Sequence, residues 1–151
     1  MVMRSRFLPI LVAICVLAID QASKALVVSR LGLYESRPVF SGLLHLTRVE
    51  NPGVAFGLFA GRPSVWGVAA VAALAVILWV ALRRFSYSPP VLWGMGFTGG
   101  GALGNLIDRL RIGKVIDFVE LPVWPVFNLA DVAIVLGVGL FLWAGLRTEA
   151  R

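Results

Sequence analysis

The stretch FNLADVAIVLGVGLFLWAGL, from Phe127 to Leu146, decides the class of fold. Its uninterrupted apolar part begins only at Val132 and is too short to cross the roughly 30 Å hydrocarbon core of a bilayer, so we expect a transmembrane helix that begins near Asn128. Asp131 then lies in the first turn of this helix. An aspartate near the centre of a span costs about 2.5 to 3.5 kcal/mol, so a chain keeps one within a span only with a partner or a task.

The composition predicts an integral membrane protein. Of the 151 residues, 59% are hydrophobic and only 15% are charged, and the mean hydropathy is +0.89; soluble domains are far more polar. Apolar segments predict spans at about 7–26, 64–82, 91–109 and 128–146. We therefore predict one all-α membrane domain over residues 1–151, with four transmembrane helices.

The first apolar run resembles a secretory signal peptide, because Arg4 and Arg6 precede it. However, Ile14 stands before Cys15, where a cleavage site requires a small residue, and three further spans follow. We expect the first helix to be retained.

Basic residues next to the shortest segments predict the orientation of the chain. They are dense before the first span, between the second and third spans and after the fourth, so we expect both termini in the cytoplasm. The outer ends of all four helices then meet on the other side. The net charge of +6 is explained by the basic residues that flank the spans, so nucleic-acid binding is not expected. The flanking residues are Arg4, Arg6, Arg83, Arg84, Arg147 and Arg151.

The segment between the first two spans predicts a small extracytoplasmic β-sheet. It reads YESRPVFSGLLHLTRVENPGVAFGLFAG from Tyr34 to Gly61, and turn signals break its short apolar stretches. His45 alternates with apolar neighbours and is interpreted as a strand residue rather than a catalyst. Such a sheet could hold an extended peptide.

Four aspartates are expected in one layer at the outer ends of the helices. Asp20 pairs by spacing with Lys24 on one helical face, and Asp117 is predicted in the loop after the third helix. Polar residues are thus grouped on particular faces, as expected for faces that look into the bundle. The other members of this layer are Asn105, Asp108, Arg109, Asn128 and Asp131.

This inventory favours carboxylate chemistry. One His and one Cys serve zinc hydrolysis poorly, and the adjacent Ser23 and Lys24 cannot face each other on a helix. Two neighbouring carboxylates can share a proton, so that one activates water while the other activates a peptide carbonyl. The residues alone do not choose two of the four aspartates. A proton-coupled transporter and a Mg²⁺-dependent lipid transferase remain alternatives.

Five ordered blocks closely resemble the lipoprotein signal peptidase family, also called signal peptidase II. The blocks are DQASK at 20–24, NPGVAF at 51–56, GGALGNLIDR at 100–109, VIDF at 115–118 and FNLAD at 127–131.

The resemblance implies an aspartic endopeptidase of the bacterial inner membrane that needs no metal or other cofactor. It would remove the signal peptide of a prolipoprotein just before the diacylglyceryl-modified cysteine, close to membrane lipid at the outer face. We expect a monomer, because one chain supplies both catalytic residues. These residues are by resemblance Asp117 and Asp131. The residues expected to bind substrate or support the site are Asp20, Lys24, Asn51, Gly53, Asn105, Asp108, Arg109 and Asn128.

Overall fold

The computed structural model describes residues 2–40, 42–52, 76 and 88–149. Its helices are α1 (Val2–Arg30), α2 (Pro89–Ile112) and α3 (Leu129–Glu149). Its strands are β1 (Ser36–Phe40), β2 (Leu44–Asn51), β3 (Val115–Leu121) and β4 (Trp124–Phe127). Gly53 and the predicted second span lie outside the described residues, except for Val76, which is helical.

Two of the described helices are long and apolar enough to cross a membrane, within Phe7–Arg30 of α1 and Leu129–Arg147 of α3. The prediction that Asp20 and Lys24 end the first helix is wrong, because α1 continues to Arg30. No glycine or proline occurs between Lys24 and Gly32, and the Leu31 N–H still donates to the Val27 carbonyl oxygen at 2.9 Å.

The glycines of α2 lie at two helix contacts. A Cβ added to Gly104 would clash with Asp20 Oδ2 of α1, and a Cβ added to Gly101 would clash with the Ala130 carbonyl oxygen of α3. Gly100 also contacts α1, so the Gly100 to Gly104 pair packs against a neighbouring helix rather than lining a substrate groove.

The order of these contacts gives the helix directions. Along α2, Gly96 contacts Val12 and Gly104 contacts Asp20, so α1 and α2 run parallel. Gly94 instead contacts Phe141 while Gly101 contacts Ala130, so α3 runs antiparallel to α2. The ends of α1 and α2 therefore meet the beginning of α3.

A four-stranded antiparallel sheet caps this end of the helices, in the order β1-β2-β3-β4. The sequence predicts the part of the sheet formed by β1 and β2. It does not predict β3 and β4, which come from the segment between α2 and α3. The prediction that Asp117 lies in a loop is wrong, because it lies on β3. The sequence VIDFVEL is rich in β-branched and aromatic residues and is bounded by Gly113 and Pro122, so the strand signal was present.

Apolar packing fixes the sheet to the helices. Val27 and Leu31 at the end of α1 form a buried cluster with Phe118 of β3. Burying such side chains contributes about 1.5 to 3 kcal/mol each. Since Phe118 follows Asp117 directly, this cluster holds the aspartate against the ends of the helices.

Candidate active site

Lys24 lies at the centre of a buried polar cluster. Its ammonium is 2.9 Å from Asp20 Oδ2 and 2.7 Å from Asp108 Oδ2, and it donates to Asn105 Oδ1 at 3.0 Å. The predicted pair of Asp20 and Lys24 is confirmed, and α2 adds a second carboxylate. A buried ammonium is tolerated only with such partners, since desolvating it alone costs several kcal/mol.

Asn105 connects this cluster to the beginning of α3. Its Oδ1 accepts hydrogen bonds from Lys24 and from Asn128 Nδ2, the latter at 3.1 Å. Its Nδ2 donates to Asp131 Oδ1 at 2.8 Å. Because the side-chain oxygen accepts hydrogen bonds and the side-chain nitrogen donates them, Asn105 can bridge a cation and a carboxylate.

Asn128 joins Asp131 to Asp117. Its Nδ2 donates to Asp117 Oδ1 at 2.6 Å, and its Oδ1 accepts from the Asp131 N–H at 2.9 Å. Asp131 Oδ2 accepts in return from the Asn128 N–H at 3.2 Å. Asn128, which is fully buried, therefore forms hydrogen bonds with both aspartates and holds them close together.

The amino end of α3 points its N–H groups at this site. The Ala130 N–H donates to Asp20 Oδ1 at 3.1 Å, so α1 supplies an acceptor for α3. The first amides of a helix carry a partial positive charge, which stabilises carboxylates placed beside them. The Asp20 carboxylate therefore interacts with both the Lys24 ammonium and the amino end of α3.

Burial raises the pKa of Asp117 to about 6. Desolvation is the largest cause, and the nearby negative charge of Asp131 acts in the same direction. Hydrogen bonds from Asn51, at 3.0 Å to Oδ2, and from Asn128 favour the ionised form and limit the rise. Asp117 is only 3% exposed, whereas Asp131 is half-buried. The pair thus contains one carboxyl group, that of Asp117, which retains its proton up to a pH of about 6.

Most of the predicted site residues meet in this one network. Arg109 does not contact the carboxylates among the described residues; its Nη1 donates to the Asn105 carbonyl oxygen at 3.1 Å. Gly53 lies outside the described part of the chain. The residues that the network brings together are Asp20, Lys24, Asn51, Asn105, Asp108, Asp117, Asn128 and Asp131.

Gln21 also belongs to this network, although the sequence patterns do not predict it as a site residue. Its Nε2 lies 3.1 Å from Asp20 Oδ2, 3.1 Å from Asp108 Oδ1 and 3.3 Å from the Gly104 carbonyl oxygen. An amide within an otherwise apolar helix, three positions before Lys24, was the available signal. In the described ranges, no group of three or more His, Cys, Asp or Glu side chains is arranged to hold a metal ion.

Comparison with known proteins identifies the family. A family model described as Signal peptidase (SPase) II matches residues 12–147. The chain belongs to the signal peptidase II family. Signal peptidase II enzymes are membrane aspartic proteases, so the predicted enzyme class is confirmed.

Two relatives and one solved structure show how far the similarity to signal peptidase II extends. The lipoprotein signal peptidase of Moorella thermoacetica is 48% identical over 135 residues, 89% of each chain. That of Pelotomaculum thermopropionicum is 46% identical over 146 residues, 96% of this chain and 95% of the relative. A solved bacterial membrane enzyme, determined by the in meso method at 2.3 Å resolution, aligns with a TM-score of 0.81 and 28% identity, covering 93% of this chain and 88% of that chain. The predicted family is confirmed.

Proposed function

We propose that this protein removes the signal peptide from diacylglyceryl-modified prolipoproteins and cuts just before the lipidated cysteine. The relatives named lipoprotein signal peptidase support the substrate class. The observation that carries the proposal is the connection of Asp117 to Asp131 through Asn128. It places two carboxyl groups of unequal burial at the end of helices that are apolar enough to lie in a membrane.

The proposed reaction gives the two aspartates different roles. Asp131 acts as the base and takes a proton from the attacking water, while Asp117 acts as the acid and gives its proton to the carbonyl oxygen of the scissile bond. The water oxygen bonds to the carbonyl carbon and forms a tetrahedral intermediate. When the C–N bond breaks, the proton on Asp131 passes to the leaving amine. A hydroxyl proton of the intermediate returns to Asp117, so the protonation of the pair is restored.

The charges around the pair favour keeping that proton. Among the described residues, Lys24 is the cation of this network, and Asp20 and Asp108 already contact it directly. If Asp117 and Asp131 were both ionised, the buried network would carry a large negative surplus at low dielectric. A single proton shared by the two aspartates removes part of this negative charge. The proposed chemistry requires no cofactor.

We infer a chain with four spans and both termini in the cytoplasm. Since α1 and α2 run parallel, the chain must return across the bundle between them, and the 64–82 segment is 19 residues long and without a charge. In this arrangement the sheet and the aspartates lie at the outer face of the bacterial inner membrane. One chain supplies both aspartates, which supports a monomer.

The test is cleavage of a purified, diacylglyceryl-modified prolipoprotein by the detergent-solubilised protein with a chelator present. We expect Asp117→Asn and Asp131→Asn each to lower turnover by about a thousandfold or more, since removing one member of a catalytic unit disables the whole unit. The matched control is Glu35→Gln, which changes an exposed carboxylate outside the network and should leave turnover unchanged.

Two results would contradict the proposal. A folded aspartate variant that keeps a tenth or more of the parent's turnover would exclude the proposed pair. Loss of the parent's own activity in chelator would support the metal-dependent alternative. Thermal unfolding of each variant in detergent identifies the folded samples.

A further inference from the structure

A cavity of about 350 Å³ lies between the ends of α1 and α2 and the strands β2 and β3. Lys24 and Asp108 line one side of it, but neither Asp117 nor Asp131 does. The proposed cleavage reaction therefore leaves this cavity unused. Its remaining lining combines charged side chains with apolar ones, which is the chemistry of a site for an amphipathic molecule.

The charges of the cavity favour an anion. Three cations and two carboxylates line it, and both carboxylates already have cationic partners. Asp108 pairs with Lys24, and Glu50 lies 2.9 Å from Arg48 and 3.3 Å from Lys114. Arg111 is exposed and makes no ion pair with any described residue. Among the residues that the structure describes, its guanidinium is the unpaired positive charge at this cavity, and it suits bidentate binding of a phosphate.

Arg48 adds a second donor. Its Nη1 donates to the Leu31 carbonyl oxygen at 3.2 Å and its Nη2 to Glu50 at 2.9 Å. Its Nε is buried and has no acceptor within the described part of the chain. A buried donor without an acceptor costs about 1 to 3 kcal/mol, so an acceptor supplied by a ligand would be favourable here.

The position of the cavity in the membrane favours a lipid over a free anion as its ligand. The apolar part of α1, Phe7–Arg30, has 24 residues and is roughly 36 Å long, which exceeds the hydrocarbon core by about 6 Å. The last turn of α1, with Val28 and Ser29, therefore lies in the headgroup layer. Val28 and Ile112 line the cavity and are 37% and 45% exposed, so acyl chains can lie against them.

We propose that this cavity binds a membrane phospholipid, with the phosphate on Arg111 and Arg48 and the acyl chains along Val28 and Ile112. The proposal does not depend on the peptidase reaction.

The test is native mass spectrometry of the full chain in detergent, titrated with dioleoylphosphatidylglycerol. Arg111→Gln removes the unpaired charge, and Val28→Trp narrows the apolar side without changing any charge. Each should weaken lipid binding about tenfold, the effect of losing one charge-assisted hydrogen bond or a comparable apolar contact. The matched control is Arg37→Gln, an exposed arginine on β1 outside the cavity, which should bind as the parent does.

Competition with two further ligands tests whether the site recognises a phospholipid, an acyl chain alone or a free phosphate. Dioleoylglycerol, which has the same acyl chains and no phosphate, should not displace the bound lipid, and neither should inorganic phosphate at millimolar concentration. Unchanged binding by folded Arg111→Gln overturns the proposal whatever Val28→Trp shows. Displacement by dioleoylglycerol would reduce the site to apolar contact, and displacement by inorganic phosphate would assign the cavity to a free anion; either result overturns the proposal.

Discussion

Asn128 and Asp131 cap each other at the beginning of α3. The backbone N–H of each residue donates to the side chain of the other, at 3.2 Å and 2.9 Å. This reciprocal arrangement satisfies N–H groups that the helix itself leaves unpaired. An amide and a carboxylate at the start of an apolar helix thus have a structural reason. The same capping geometry directs Asn128 Nδ2 to Asp117 and so joins the proposed catalytic pair.

Substitution of Asn128 should separate capping from the connection to Asp117. Asn128→Ser keeps a capping oxygen, whereas Asn128→Ala removes it at a cost of about 0.5 to 2 kcal/mol. We expect the serine variant to unfold near the parent's temperature but to lose turnover about a hundredfold, because its hydroxyl cannot also reach Asp117. Thermal unfolding and prolipoprotein cleavage measure the two effects. Parental turnover in Asn128→Ser would show that the connection is dispensable.

Substitution of Lys24 should lower the free energy of unfolding more than substitution of an exposed lysine. Lys24→Met leaves Asp20 and Asp108 buried without their shared partner, which costs about 3 to 5 kcal/mol. The matched control is Lys114→Met, because the Lys114 side chain is 45% exposed and its ion pair with Glu50 contributes at most about 1 kcal/mol. Chemical denaturation in detergent measures both. Equal stability of the two variants would contradict a central role for Lys24.

The pKa of Asp117 predicts the alkaline limb of the pH profile. If Asp117 acts as the acid, kcat/KM should fall as the pH rises through about 6, because the group then loses its proton. Asn51→Ala removes a hydrogen bond that favours the ionised form, so the pKa should rise and the limb should move to higher pH. The control is His45→Ala on the same strand, which should leave the limb in place. A limb that stays fixed in Asn51→Ala, or moves in the control, would argue against this assignment.

The glycine contacts of α2 predict opposite effects at two positions. In Gly104→Ala the new methyl group meets Asp20 Oδ2, so we expect a loss of about 1 to 3 kcal/mol and lower turnover. A Cβ on Gly99 meets nothing within 4 Å among the described residues, and alanine favours the helix by up to about 1 kcal/mol. Unfolding temperatures of the two variants test this. A stable and active Gly104→Ala would mean that α1 and α2 are less tightly packed.

The sequence predicted individual residues better than their positions in the fold. Asp20 and Lys24 were paired correctly by their spacing of four, because helical periodicity alone brings them together. Asp108 as a further partner of Lys24 depended on the parallel contact of α1 with α2, which no local pattern encodes. Asp117 lies on β3 and not in the predicted loop, because a strand of seven residues between two helices is stabilised by pairing with β2, which lies far away in the sequence.

The sequence by itself determined the membrane class, the α1 and α3 spans and, through five motif blocks, the family. These features depend on composition, local periodicity and residue identity, which are readable along the chain. Only the tertiary structure decided that β3 carries Asp117 to the beginning of α3 and that Asn105 and Asn128 join the carboxylates to Lys24. Contacts between residues distant in sequence depend on how helices and sheet pack, and Gly104 permits that packing by leaving room for Asp20.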